Sequence, residues 1–352
     1  MDILSFLLTL AASMVFGTIG NKLKLPAGAM IGAILGAVIV NLFLGGAVFY
    51  DQIKTVLQLL SGAMIGSKIG MSDVRAMKKI IFPTLFLLLG MVVLNLTFGG
   101  AIFALSSLNV ATSLFATAPG GMADMAIISS ELGADPAYVG ILQLLRILII
   151  LLCLPPIFKK ILSGKEIAPP AKPVEANGQH AAPTGMVYAR RFALLLAVCS
   201  AGGLLCAALG LAAGALTGSM IAGTLLCVFR GRLQFPSKLR FFMQVFSGAF
   251  IGVGIDRATI AALPELIVPA LIMLAGIFVF VFGTSFLMYK FFKIDLAVCL
   301  LSCTPGGIQE MALLSEDLGA DTPKVAVMQT MRLMCVILFF PTMLKFITLL
   351  FQ

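Results

Sequence analysis

Apolar residues in this chain fall in unbroken runs, with neither the one-sided period of a surface helix nor the alternation of a half-buried strand. Runs near twenty residues long suit helices that are apolar on all sides and cross a bilayer. The pattern predicts spans at about 3–20, 26–46, 54–70, 80–105 and 137–159, then at about 190–211, 214–230, 241–256, 264–290 and 325–349. Two further apolar segments, 107–131 and 294–317, are each interrupted by Pro-Gly-Gly. The stretch Ser163 to Gly185 is polar and rich in Pro and Ala, which predicts a disordered linker. Three parts follow: a membrane repeat over 1–162, the linker over 163–185 and a second membrane repeat over 186–352.

The two parts are copies of one another. Thr117–Pro155 and Cys303–Pro341 align without a gap at an offset of 186, with 15 of 39 positions identical. Both Pro-Gly-Gly strings and both Leu-Gly-Ala-Asp strings are among them. Gln58-Leu-Leu-Ser-Gly-Ala-Met-Ile-Gly matches Gln244-Val-Phe-Ser-Gly-Ala-Phe-Ile-Gly at the same offset, and Pro83 matches Pro269. The Gly-Ala-Met-Ile-Gly and Gly-Ala-Phe-Ile-Gly strings have the spacing of small residues that lets helix backbones approach closely.

Composition agrees with a membrane chain: 60% apolar, 11% charged and no Trp. A net charge of +9 would suit nucleic acid, but the basic residues sit in short clusters between apolar runs, with no basic face or aromatic platform. If each Pro-Gly-Gly segment dips into the membrane and returns, the repeats have five spans each and opposite orientation. That topology places 19 of the 24 basic residues inside and only Lys54, Arg257 and Lys345 outside, with Arg146 and Arg332 within spans. The predicted fold is therefore an all-α polytopic membrane protein of two inverted repeats, each with a re-entrant break, both termini outside and the linker inside. The N-terminus lacks a positive region and a small-residue cleavage site, so the first apolar run is expected to be retained. Seven cysteines lie in apolar runs without paired spacing and are read as buried small hydrophobes, with no metal site indicated.

The candidate site is the duplicated motif. Proline has no N–H and disfavours helix in the residue before it, and paired glycines let the chain turn. Such a break must be buried in protein or line a wet cavity. Pro119, Gly120 and Gly121, with Pro305, Gly306 and Gly307, thus mark two broken helices whose restarts aim free N–H groups at one place. Asp124 and Glu310 follow in the same register, either stabilising a helix start, worth about 0.3–1 kcal/mol, or binding H⁺ or Na⁺. Glu131, Asp135, Asp317 and Asp321 adjoin the Leu-Gly-Ala-Asp turns and are read as interfacial caps. Gln143 and Arg146, with Gln329 and Arg332, stand three residues apart and share a helix face. Each Arg lies too deep to reach a surface, so it needs a partner: the acid after the break, the carbonyl end of a half-helix, or an anionic substrate.

The duplicated Pro-Gly-Gly, Leu-Gly-Ala-Asp and Gln-x-x-Arg pattern resembles that of the AbrB-type bacterial membrane proteins over essentially the whole chain. That family has carried the labels regulator and putative ammonia monooxygenase. The pattern is more distantly similar to the cation/proton antiporter and bile-acid/sodium symporter superfamily, and the hairpin plan to sodium-coupled glutamate and hydroxycarboxylate carriers. The bile-acid-type motif continues with Thr and Asn, whereas this chain has Met122-Ala123-Asp124 and Ile308-Gln309-Glu310. A sodium site is therefore not carried over. Dimerisation and a bacterial inner-membrane location are what the resemblance implies.

The function expected is a secondary transporter of a small polar or anionic solute, of carboxylate or amino-acid type, coupled to H⁺ or Na⁺ by alternating access. A membrane-embedded regulator acting indirectly is the alternative. An oxygenase would need a metal centre, and the single histidine, His180, sits in the linker. No phosphate-binding Gly-x-x-x-x-Gly-Lys-Ser/Thr loop is present. Arg146→Ala is expected to abolish function while leaving an inserted, folded protein.

Overall fold

The computed structural model describes residues 2–23, 27–44, 47–162, 185–211, 213–306, 311, 314–315 and 318–350. They form an all-helical membrane protein. In the first half, α1 (Asp2–Lys22), α2 (Gly28–Leu44) and α3 (Asp51–Gly66) precede a long α4 (Met71–Leu105). Two short helices, α5 (Val110–Thr117) and α6 (Met122–Glu131), then lead to α7 (Pro136–Leu162). The second half has α8 (Met186–Ala208), α9 (Gly214–Arg230), α10 (Ser237–Val253), α12 (Ile267–Phe292), α13 (Leu296–Cys303) and α14 (Thr322–Leu350). A five-residue helix α11 (Arg257–Ala261) and a 3₁₀ turn (Leu263–Leu266) lie between α10 and α12. Among the described residues, six helices are long and apolar enough to cross a membrane.

Most predicted spans coincide with these helices. One difference is at α4, which begins nine residues before the predicted span at Ile80. Its first part is polar, and Ile80 itself leaves helical geometry (φ −120°, ψ 15°). Pro83, three residues on, cannot donate to Lys79 and crowds that carbonyl, which is a sufficient cause for the kink. The turn at 257–266 was not anticipated, because five-residue helices carry no usable periodicity.

The helices sort into two bodies with separate cores. One packs α4, α5, α7, α12, α13 and α14 together around Leu87, Phe115, Phe158, Leu301 and Ile337. The other pairs α3 with α9 and α2 with α10, flanked by α8 and α1. Helix α6 belongs to both: Met125 and Ile128 face the first core, Met122, Ala126 and Ile127 the second. The pairings in the second body run between halves and depend on the small-residue strings. A Cβ at Gly62 would stand 2.4 Å from the Leu216 carbonyl oxygen, and one at Gly248 would stand 2.5 Å from that of Met30. Backbone cannot yield as a flexible side chain does, so glycine is required where the two helices touch.

Hydrogen bonds near helix ends and in loops tie the halves further. Asn41 donates to the Val253 and Ile255 carbonyls (2.9 and 3.0 Å), and Leu233 N donates to Ser67 O (3.2 Å). Arg232 pairs with Asp73 and reaches Ser72. Within the first break segment, Asn109 Nδ2 donates to Gly133 O (3.2 Å) and Asp135 N to Thr112 Oγ1 (2.9 Å).

Candidate functional site

The first break is set by local chemistry. Helix α5 starts at Asn109, whose side chain accepts the Thr112 N–H (2.7 Å), and every residue from Ala111 to Thr117 is buried. Pro119 forces Ala118 out of the helix (φ −61°, ψ 130°), and Gly121 is likewise extended (φ −68°, ψ 132°) before α6 resumes at Met122. The last carbonyls of α5 are then left without intrahelical donors inside the protein, where each unpaired group costs about 1–3 kcal/mol.

Gln143 and Arg146 of α7 supply the missing donors. Gln143 Nε2 donates to Phe115 O (2.9 Å), Ala116 O (3.4 Å) and Ala118 O (3.0 Å). Arg146 Nη1 donates to Ala118 O (2.8 Å) and Nη2 to Gly120 O (2.7 Å). The second break repeats this clamp. Gln329 Nε2 donates to Leu301 O (2.6 Å) and Thr304 O (3.2 Å), while Arg332 donates through Nη1 to Ser302 O (3.3 Å) and Thr304 O (2.6 Å) and through Nη2 to Gly306 O (3.2 Å). A rigid planar fork spans two carbonyls on either side of a break, which a lysine would not do. The positive charge also sits at the negative end of a half-helix.

Of the three partners expected for the buried arginines, the carbonyl end of the half-helix is therefore the one found. An ion pair between Arg146 and Asp124 does not form; among the described residues the bonds of Arg146 go to carbonyls. Gln143 and Gln329 are fully buried, and Arg146 and Arg332 are only 2% and 6% exposed. Among the described residues, Arg146 Nε and the Oε1 atoms of Gln143 and Gln329 are buried without a partner.

Asp124 lies in the first turn of α6 with its carboxylate folded over Gly121, so that a Cβ there would meet Oδ2 at 2.8 Å. Ser61 of α3, from the other body, lines the same cavity as Asp124. Nearby, Gln58 of α3 donates to Glu131 Oε1 (2.6 Å). Glu131 was expected as an interfacial cap and instead joins α6 to α3. Asp135 is a cap as expected, accepting the N–H groups of Ala137 and Tyr138 (2.8 and 3.3 Å), and Asp321 accepts that of Lys324 (3.1 Å). Gly307, Glu310 and Asp317 lie outside the described residues.

Both breaks line one cavity of about 320 Å³ between the two bodies. Its wall includes Pro119, Gly120, Gly121, Asp124, Arg146, Pro305, Gly306 and Arg332. Ser61 and Lys68, beside α3, and Arg240, Gln244 and Ser247 of α10 complete the polar lining. The small-residue strings of α3 and α10 pointed first to close helix packing. Gln58, Ser61, Gln244 and Ser247 were nevertheless duplicated polar residues in apolar helices, and that was the available signal.

A family model described as "Transition state regulatory protein AbrB" matches residues 1–162 and 164–348. The chain belongs to the AbrB family. It is 26% identical over 293 residues to a protein of Bacillus subtilis (strain 168) called "Uncharacterized protein YhjN", covering 81% of this chain and 76% of that one. It is 27% identical over 250 residues to the "Putative regulator AbrB" of Escherichia coli (strain K12), covering 69% of this chain and 68% of that one. These descriptions point to regulators or uncharacterised proteins rather than to an enzyme.

Proposed function

We propose that this chain is a secondary transporter of a small anionic solute of the carboxylate class, working by alternating access. One observation carries the reading: two broken helices and the repeat-related arginines that clamp them line a single cavity between separate helical bodies. Broken helices meeting near the membrane midplane, at the junction of two repeats, are the usual construction of a secondary-transporter site. Carbonyls accept from the arginine Nη groups but carry no formal charge, so a buried positive field remains for an anion.

The five-plus-five inverted topology with re-entrant breaks is part of this reading. Asn109 and Thr112 bond to Gly133 and Asp135, which holds the start and the end of the first break segment together. Movement between the bodies is the transport step. The lining runs toward Lys68 and Arg240, whereas Gln58 and Glu131 bridge the bodies at the opposite end of α6. Asp124, which lines the cavity together with Ser61 of the other body, is the place for a coupling H⁺ or Na⁺.

The relatives' printed names favour a second reading, that of a regulator. Such a role would be indirect. The test is uptake of labelled carboxylates into proteoliposomes under an imposed pH or Na⁺ gradient. Gradient-driven accumulation of at least one solute, lost in Arg146→Ala, is the expected result. A reconstituted, folded protein that moves no carboxylate under either gradient would leave the regulator reading in its place.

A further inference from the structure

The two copies of the repeat carry equivalent residues but do not make equivalent contacts. At the start of α7, Gly140 packs directly on α10: a Cβ there would stand 2.5 Å from Ile251 Cγ2. Ala137 lies one turn earlier, and a Cβ at Gly254 would stand 3.2 Å from its Cβ. Gln58 donates to Glu131 at the same end (2.6 Å). The two bodies are thus shut against each other there. At the offset of 186, Gly140 and Ala137 become Ala326 and Pro323 of α14, while Ile251 and Gly254 become Ile65 and Lys68 at the end of α3. These mates are apart. Ile65 and Lys68 line the cavity, Pro323 is exposed and Ala326 half-buried, whereas Ala137 and Gly140 are buried. The start of α14 lies on the Lys68 side, because Lys345 near its other end donates to Gly210 O (3.3 Å), just before α9. The far end of α9 is the one that meets Ser67, through Leu233 N (3.2 Å).

We infer, resting on the transport reading above, that the carrier's other state exchanges these closures. In it, Ala326 and Pro323 of α14 pack on Ile65 and Lys68, while α7 parts from α10 and Gln58 from Glu131. Two copies of one plan can each take the shape its mate holds. Swapping the shapes gives a second state of similar energy, with the cavity open at its opposite end. The side chains suit this. Each closure sets an isoleucine of the facing helix against a small residue of the long helix, Ile251 against Gly140 and Ile65 against Ala326. Lys68, standing where the first closure has Gly254, buries no charge in the second, since its stem can lie along Pro323 with the ammonium in water. The one difference is a methyl, Ala326 for Gly140, which keeps the second closure looser. That is a physical reason for the present state to be the resting one.

The experiment places two cysteine pairs, separately, in the full-length chain and oxidises them in intact membranes. After solubilisation the chain is cut at a protease site introduced between residues 163 and 185, so that a disulfide between the halves holds the fragments together until it is reduced. Ala137→Cys with Gly254→Cys reads the closure seen here, at a Cβ separation of 3.2 Å, close to the about 3.5–4.5 Å of a disulfide. Lys68→Cys with Pro323→Cys reads the exchanged closure. Both pairs are expected to bridge above the background of the unsubstituted chain with its own seven cysteines. The first bridge should abolish carboxylate uptake into vesicles, and reduction should restore it. Once the second bridge has formed, hydrogen exchange at residues 129–140 should quicken, because the first closure has parted. If the unsubstituted chain carries solute but the second pair never bridges, or bridges with 129–140 still protected, the exchange is overturned and the carrier reading stands. Both bridges, with quickened exchange, in a chain that moves no solute keep the exchange and sink the transport reading. Should the second variant fail to insert, Ile65→Cys with Ala326→Cys reads the same closure, and its failure to bridge counts equally against the exchange.

Discussion

The two half-sites share a clamp and differ in almost everything around it. In both, Gln and Arg from the following long helix take the carbonyls of a broken helix, and even the methionine beneath the first glycine of each break is repeated, Met125 under Gly120 and Met311 under Gly306. Around the first break the support is polar. Asn95 Nδ2 donates to Leu114 O (2.7 Å) and to Thr117 Oγ1 (2.9 Å). At the equivalent places the second half has Val281 and Cys303, and the Cys303 thiol sits beside Met288 sulfur (3.6 Å). The facing helices share one feature: Ser61 of α3 and its repeat mate Ser247 of α10 both line the cavity, and Gln58, one turn from Ser61, donates to Glu131 (2.6 Å). What was kept through divergence is the means of holding a break open. What diverged is the packing behind it.

The sharpest test of that comparison is to remove each clamp in turn. Arg146→Ala strands the Gly120 carbonyl and leaves that of Ala118 to Gln143 alone, and Arg332→Ala strands the Gly306 carbonyl and leaves that of Thr304 with Gln329, at about 1–3 kcal/mol for each buried group left unpaired. Both variants should therefore lose uptake and also melt several degrees lower by scanning fluorimetry. The sequence alone led us to expect Arg146→Ala to be inactive yet undisturbed; the carbonyl partners revise that. Uptake surviving in one variant and not in the other would mean that the half-sites are not equivalent in function.

A smaller effect should separate the panels. Glu131→Ala removes a hydrogen bond to a charged acceptor, worth about 1.5–3 kcal/mol, from the first half-site only. Hydrogen exchange at residues 129–135 should quicken about tenfold or more, with exchange at 296–304 unchanged. Equal acceleration in both regions would show that the Gln58–Glu131 contact holds the whole molecule together rather than one end of α6.

The smallest effect lies outside the membrane spans. Asp256 caps α11, accepting from Thr259 N (2.8 Å) and Thr259 Oγ1 (2.9 Å), and these bonds hold its carboxyl below the ordinary value of 3.8. At the equivalent position in the first half is Gly70, whose N–H is capped instead by Asp73 (2.8 Å). Because the folded-state pKa is depressed, the stabilisation is complete above the unfolded value and disappears as pH falls through the folded one. Asp256→Ala should therefore melt slightly lower than the parent at pH 7, and the gap should close on acidification below about pH 4. A gap that widens in acid would contradict the cap.

Much of this was legible in the chain itself. The uniformly apolar runs set the helices, because in a bilayer a spanning segment must satisfy its own backbone. Pro119 and Pro305 set the breaks through a missing N–H and a crowded neighbour, which are local effects. The three-residue spacing put Gln143 and Arg146 on one face. What the arginine does with that face was not legible, since its partners, Ala118 and Gly120, lie 28 and 26 residues earlier and meet it only once α5 and α7 pack. The same holds for Ser61, Gln58, Gln244 and Ser247, whose neighbours are chosen by how α3 and α10 sit against α6 and the cavity. Local sterics and periodicity fix elements within a few residues of themselves, so the sequence determined the helices, their breaks and their duplication. Which carbonyl meets which guanidinium, and that both breaks face one cavity, required packing between halves some 186 residues apart, and only the tertiary structure decided it.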